Sequence, residues 1–384
     1  MKRCLLFSLA LATTVTSAEL PSKDRSLLNE VERAQQHGLD WLLKQQKPDG
    51  SWENHPAITA LAATAFLRSG SPLTTNQQEA VDRAVTFILS NVKSNGAIFG
   101  GGETDKYPNY STAICSMALL ATKKPEYIEA IRNARAFLLN SQFDETESIT
   151  ATNASYGGIG YGRRERPDLS NTQWALEAIR LTESLEKQQD RATKQDWDLH
   201  WQKAIAFLQR CQNLPSHNDQ PWAKNAGDRD LGGFIYVPGM SGVDEDVQHD
   251  ERTPLRSYGS MSYAGLKSYL YADLKKNDPR VIAAVNWLKR NYTLDENPAL
   301  GAQGLYYYYL TFTKALTAYG DDTFTDASGK THDWRAELMS KLVSLQENAG
   351  FWVNDNGRWW ENNPVLVTSY CLLALEIAQA RRYP

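Results

Sequence analysis

Trp41-Leu42-Leu43-Lys44-Gln45-Gln46, followed by Asp49-Gly50-Ser51-Trp52 and by the apolar run from Ile58 to Leu67, decides the architecture of this chain. An aromatic residue in one helix is followed by a glutamine, a Gly-aromatic loop and a second, more apolar helix. The pattern recurs about six times, and a repeat of this length points to stacked helical hairpins before any single motif is read. Helix anchors fall at Trp41, Phe87, Phe137, Phe207, Trp287 and Leu342, at intervals of 46, 50, 70, 80 and 55 residues. Glutamines follow at Gln45, Gln142, Gln212 and Gln346, with Asn91 in that place in the second unit. Loops follow at Gly50, Gly96, Gly157-Gly158, Gly232-Gly233 and Gly350, while the fifth unit lacks both the Gln and a clear Gly-aromatic turn.

Helical periodicity predicts twelve helices in six pairs. First members are expected at 27–46, 77–91, 126–142, 194–212, 279–291 and 333–346. Second members are expected at 56–68, 110–121, 170–185, 257–274, 302–319 and 365–381. The second set is richer in Ala, Leu and Tyr and poorer in charge, as Ala113-Ile114-Cys115-Ser116-Met117-Ala118-Leu119-Leu120 illustrates. Helices apolar all round are buried all round. The two compositions predict an outer ring of first helices and an inner ring of second helices, an all-α (α/α)6 toroid whose inner N-termini open on a central cavity. An open solenoid would need polar capping repeats at its ends, and the last helix is as apolar as any inner one. Each loop must reverse sharply, which Gly permits through positive φ. The Gln is expected to bond the neighbouring turn and the aromatic to plug the gap between hairpins.

The ends and the composition bound the setting. Lys2 and Arg3, the apolar stretch from Leu5 to Val15 and Thr16-Ser17-Ala18 read as a secretory signal cleaved after Ala18. The expectation is therefore a signal peptide at 1–18, one toroid domain at 19–384, and a protein exported to the periplasm or the medium. Net charge is −4 with dispersed basic residues, which gives no footprint for nucleic acid. Cys115, Cys211 and Cys371 sit far apart in apolar helical patterns and read as buried free thiols. The six histidines, His37, His55, His200, His217, His249 and His332, form no pair with helical metal spacing. No metal and no cofactor is expected.

The repeats resemble the QW repeats of the terpenoid cyclase and protein prenyltransferase superfamily, over nearly all of 19–384. The resemblance implies an α/α toroid with its site in the inner cavity, usually for isoprenoid chains. In squalene-hopene-type cyclases, the segment after a Gly-Gly-aromatic loop reads DXDDTA, and its central Asp protonates the substrate. Here the corresponding residues are Asp168-Leu169-Ser170-Asn171-Thr172. Asp168 and Thr172 match, but Ser170 stands where the central acid belongs and Asn171 where the last Asp belongs. A serine hydroxyl is far too weak an acid to protonate an alkene. Prenyltransferases of the superfamily hold zinc with an Asp-x-Cys pair and a distant His. The matching stretches, 256–263 and 365–369, contain neither Cys nor His.

Within the expected cavity, Asp168 is the candidate catalytic acid, with an N-cap role for the helix beginning near Ser170 as its alternative. Tyr110, Asn171, Trp174, Arg256, Tyr258 and Tyr263 are expected on the inner rim, with Gln303, Tyr306, Tyr307 and Thr368. Tyr156, Tyr161, Arg163, Arg164, Trp359 and Trp360 are expected to frame the mouth. Aromatic walls suit isoprenoid chains and carbocations, and sugar faces nearly as well. Three function classes stay open: an isoprenoid-handling enzyme, a non-catalytic scaffold for a small ligand or a protein, and a polysaccharide-active enzyme using Tyr258 and Arg256. The acids Asp244-Glu245-Asp246 and His249-Asp250-Glu251, in the long loop 213–256, read as a solvated surface.

Overall fold

The computed structural model describes residues 22–100, 107–162, 165–187, 194–243 and 253–380. The expected signal segment, Arg163, Arg164 and the acidic stretch 244–251 lie outside the described residues. Thirteen α-helices occur among those described. The outer set is α1 (Ser22–Gln45), α3 (Thr75–Ser90), α5 (Ile128–Leu139), α8 (Lys194–Arg210), α10 (Pro279–Arg290) and α12 (Trp334–Ser344). The inner set is α2 (Pro56–Leu67), α4 (Pro108–Ala121), α6 (Leu169–Leu181), α9 (Gly259–Tyr271), α11 (Leu305–Tyr319) and α13 (Pro364–Gln379). The remaining helix, α7 (Glu183–Lys187), is the tail of the expected third inner helix. It is split off at Thr182, whose hydroxyl bonds back to the Ala178 carbonyl and accepts from Arg135. A two-residue hairpin, Phe324–Thr325 against Thr331–His332, is the one paired sheet among the described residues.

The inner helices pack in the order α2, α4, α6, α9, α11, α13, and α13 returns to α2. The ring is therefore closed, as an (α/α)6 toroid. Helix α1 seals the seam by packing on α12 and α13. Start signals are chemical: Pro stands in the first turn of α2, α4, α10 and α13, where its missing N–H leaves no partner unsatisfied. Thr74 and Gln77 form a reciprocal capping box on α3.

The glutamines hold neighbouring hairpins together. The Nε2 of Gln46 donates to its own loop at the Gly50 carbonyl (3.0 Å) and to the Ala80 carbonyl of the next outer helix (2.7 Å). Gln142 joins Gly157 to His200, Gln212 joins Gly232 to Arg280, and Gln346 joins Gly350 to Ala34 across the seam. The first-unit residue is thus Gln46 and not the expected Gln45, which only reaches back 3.5 Å to the carbonyl of Trp41. Three residues past each bridged carbonyl, the same outer helix touches the loop glycine. A Cβ on Gly50, which has φ +86°, would lie 2.5 Å from the Arg83 carbonyl oxygen, so both the backbone angle and the space demand Gly. Asn91 does not bridge; its amide bonds the Phe87 carbonyl of its own helix.

The loop aromatics pack inward. Trp52 and Trp352 are wholly buried and each indole donates 2.8 Å to a carbonyl of its own outer helix, Leu42 and Leu342. A hydroxyl in the following inner helix then fixes each loop. Thr59, Thr112, Thr172, Ser262 and Thr368 accept from the backbone N–H of Trp52, Ile98, Ile159, Phe234 and Trp352 at 2.8 to 3.0 Å. Cys115, Cys211 and Cys371 are free and buried.

Gln46→Ala and Gln346→Ala each take a donor from two carbonyls and should cost about 1–3 kcal/mol of unfolding free energy. Gln45→Ala should change it by less than about 0.5 kcal/mol. Urea unfolding followed by far-ultraviolet circular dichroism measures this; equal losses at 45 and 46 would remove Gln46 from the bridging role.

Candidate functional site

The inner helices converge at their N-termini on a central cavity of about 230 Å3. A water molecule's share of liquid volume is about 30 Å3, so this is space for a ligand and not a hydration site. The repeated hydroxyls set its lining. Two residues before each stand Ala57, Tyr110, Ser170, Ser260 and Leu366, all of which face the cavity. One helical turn below, Leu61, Ile114 and Tyr370 continue the wall. Tyr307 supplies the wall from α11. Tyr107, Tyr161, Tyr236, Tyr258, His55, Trp359 and Trp360 complete the upper wall and mouth. Among the described lining residues there is no carboxylate.

The expected residues separate into three groups. Tyr110, Tyr258 and Tyr307 line the cavity, and Tyr161, Trp359 and Trp360 stand at its upper part. A second group is set behind the wall. Asn171 follows the inward-facing Ser170, and the turn of the helix rotates it into the core, where it bonds Asp168. Trp174 is buried against Tyr110, at 5.8 Å between centroids. Tyr263 packs on Phe312, Tyr306 lies edge-on to Tyr309, and Thr368 is the loop-fixing hydroxyl of its repeat. The third group lies elsewhere. The Tyr156 hydroxyl donates to Glu145, the Gln303 side chain accepts from Arg358, and Arg256 sits 3.5 Å from Asp230. His55, Tyr107, Ser170, Tyr236, Ser260 and Tyr370 line the cavity without having been expected there. The recurring Thr/Ser was the signal that finds Ser170 and Ser260, since both precede it by two residues.

Asp168 occupies the N-cap of α6. One carboxylate oxygen accepts from the backbone N–H of Asn171 at 2.8 Å and the other from its side-chain amide at 2.7 Å. The group is buried, and burial pushes its pKa up to about 7 although the amide donors and the Tyr236 hydroxyl favour the charged form. Tyr236 in turn bonds Tyr161 across 3.1 Å, and both rings face the cavity. Asp168 therefore reaches the cavity through a tyrosine hydroxyl and not with its own carboxyl.

The mouth is shaped by a second buried acid. Helix α11 begins at Gly304, which offers no capping side chain. Glu361 fills that role from the loop of the next hairpin: it accepts from the Tyr307 N–H at 2.7 Å and from the Tyr306 N–H at 3.3 Å. Burial pushes its pKa up to about 7. The turn it anchors carries Trp359 and Trp360, both with positive φ and roughly half exposed. Non-glycine residues hold that conformation only when their surroundings impose it. Trp360 meets the rings of Tyr107 and His55 edge-on. His55 caps α2 with Nδ1 accepting from Ala57, and burial lowers its pKa to about 4, so the imidazole at the mouth is neutral.

No family model and no curated protein matches the sequence. Solved structures do match in fold. The type II terpene cyclase MstE from Scytonema, in complex with its substrate geranylgeranyl dihydroxybenzoate, is 13% identical with a TM-score of 0.52, over 93% of this chain and 99% of that one. The same cyclase without ligand gives 13% identity and 0.51, over 92% and 99%. A family 76 glycoside hydrolase, the mannosidase Bt3792 from Bacteroides thetaiotaomicron, is 10% identical with a TM-score of 0.54, over 92% and 100%. The fold is terpene-cyclase-like. At these identities the likeness concerns architecture alone, and architecture hosts unrelated chemistries. No described helix is long and apolar enough to cross a membrane.

Asp168 carries a raised pKa in the folded state, so between its unfolded value near 4 and about 7 the folded chain binds the extra proton. Stability should fall as pH rises through that window and level off above it. Glu361 contributes with the same sign. Asp168→Asn should make the fall in melting temperature from pH 4 to pH 7 shallower; an unaltered slope would mean that the buried carboxyl titrates normally.

Proposed function

We propose that this is an exported terpene-cyclase-like toroid that binds an isoprenoid or a similar apolar chain in its central cavity. One observation carries the reading: the wall is built from seven tyrosines and two tryptophans over a lining of Ile, Leu and Met, with no carboxylate among its described residues. Aromatic faces and aliphatic side chains favour an extended hydrocarbon through area burial and π contacts. Hydrolysis of a glycosidic bond calls for two carboxyl groups about 5–10 Å apart across the bond. Asp168 and Glu361, the buried acids nearest the wall, are both committed to capping helices.

A catalytic version is favoured by a separate observation. The Asp168 carboxyl stays partly protonated near neutral pH and contacts Tyr236, a cavity residue. In that version Asp168 is the proton reservoir and Tyr236 the group facing the chain. Ser170, at the slot of the usual acid, supplies no proton. The pairing makes the Tyr236 hydroxyl one of the polar points in a wall that also carries Ser170, Ser260 and His55.

Protein purified from its native compartment should release a lipid-soluble isoprenoid-like compound detectable by mass spectrometry. Added geranylgeraniol should quench tryptophan fluorescence, and Tyr110→Ala should weaken this about ten-fold, the equivalent of about 1.4 kcal/mol of lost ring contact. Recovery of a glycan fragment, together with quenching by manno-oligosaccharides and not by geranylgeraniol, would sink the proposal.

A further inference from the structure

Below the cavity floor, the core of the ring contains charge. Glu177 of α6 is flanked by Lys267 of α9 at 2.6 Å and Lys314 of α11 at 2.9 Å. All three are largely buried. Burial opposes charge on Glu177, but the two ammonium groups outweigh it and hold its pKa down at about 2. Trp174 covers the group, with Lys314 4.0 Å from the ring centroid. Solvated charges would sit at the rim of such a ring, so their place inside it calls for an explanation.

The hydrogen bonds leading away from the cluster start with a fixed direction. Burial lowers the Lys267 pKa, but the ionised Glu177 at 2.6 Å favours its charged form, and an ammonium has donors and no acceptor. The oxygen of the Gln173 amide must therefore face Lys267, and the two are in close contact. This settles which way the amide points, because its NH2 is left to face Tyr307. Gln173 Nε2 donates to the Tyr307 hydroxyl at 3.0 Å. Ser170 Oγ lies 3.1 Å from that hydroxyl, a distance across which either oxygen can donate; the arrangement in which Tyr307 donates gives its proton an acceptor inside the wall. In that arrangement Ser170 accepts from Tyr307, and its own O–H is free to turn towards the cavity, which Ser170 lines. Chains of this kind polarise one another, so the last hydroxyl is a better donor than an isolated serine.

We infer that Ser170 is the donor end of a relay running Lys267, Gln173, Tyr307, Ser170, and that the cavity ligand carries a hydrogen-bond acceptor which rests on this hydroxyl. The inference rests on the apolar-chain reading above and adds the class of compound: a chain ending in an ether, carbonyl, hydroxyl or carboxylate oxygen, held with that oxygen against the α6 side of the wall. A pure hydrocarbon would leave the Ser170 proton without a partner in a dry place. Such a mismatch is selected against more strongly than a missing methylene.

The test uses two probes of nearly the same shape, farnesyl methyl ether and the hydrocarbon in which a CH2 replaces its ether oxygen, so that the two differ only in the acceptor. Binding to the full chain is read from quenching of tryptophan fluorescence. The wild-type chain should bind the ether about five- to ten-fold more tightly than the hydrocarbon, the range expected for one net hydrogen bond. In Ser170→Ala the preference should fall to about one, and in Tyr307→Phe it should shrink, because the donation from Tyr307 that polarises the Ser170 hydroxyl is lost. Equal binding of the two probes by the wild-type chain overturns the acceptor inference alone. A preference that survives in Ser170→Ala overturns the assignment to Ser170. Binding of neither probe overturns the apolar-chain reading, and this inference with it. The preference within the wild-type chain needs no variant to fold, so the inference remains open to refutation if Tyr307→Phe proves unstable.

Discussion

A single amide group, repeated around the ring, is the interaction on which the rest depends. In four of the six hairpins a Gln side chain donates both its protons to carbonyls, one in its own loop and one in the next outer helix. A primary amide has two donors at a fixed angle, so it sets separation and orientation together. The glycine beside it lets the loop lie flat on that same outer helix, with no Cβ between. Gln346 performs this across the seam, with Ala34. Ring closure is thus one more copy of a contact used elsewhere, and no special device is needed to join the first hairpin to the last.

From the loops, order passes inward. In five loops a large apolar residue, Trp52, Ile98, Ile159, Phe234 or Trp352, hands its backbone N–H to a hydroxyl in the inner helix, which fixes how that helix is rotated. The position two residues earlier then faces the centre in every copy. Function can vary at that position without disturbing the scaffold: it is Ala57, Tyr110, Ser170, Ser260 or Leu366 in turn. The acids near the wall serve the scaffold instead. Asp168 caps α6 from within its own repeat, whereas Glu361 caps α11 from a different one and in doing so presents Trp359 and Trp360 at the mouth. Both are acids whose burial opposes their charge, which is why the helix ends that need them also make the fold sensitive to pH.

Much of the fold was legible in the residues because it is periodic. Helix pairing, the inner and outer sets and closure all follow from a repeat and from the contrast between apolar and polar faces. The bridging residue of the first unit was misplaced by one, from Gln45 to Gln46, since adjacent glutamines look alike until the loop geometry selects the one four residues before Gly50. The cavity was less legible. Tyr110, Tyr258 and Tyr307 face it, but Asn171, Trp174, Tyr263, Tyr306 and Thr368 lie behind the wall, because one residue along a helix rotates a side chain by about 100°. A list of residues near a helix N-terminus does not carry that rotation.

The sequence by itself determined the toroid, the exclusion of a serine as the alkene-protonating acid, and the place of the slots. Each of these depends on local pattern or on the intrinsic chemistry of a side chain. Tertiary structure alone decided the roles of Asp168 and Glu361, the meeting of Lys267, Gln173, Tyr307 and Ser170, and the pair of tryptophans at the mouth. These depend on which residues meet across 55, 94 or 137 positions of sequence. Burial and proximity, and through them charge and hydrogen-bond direction, exist only once the ring has closed.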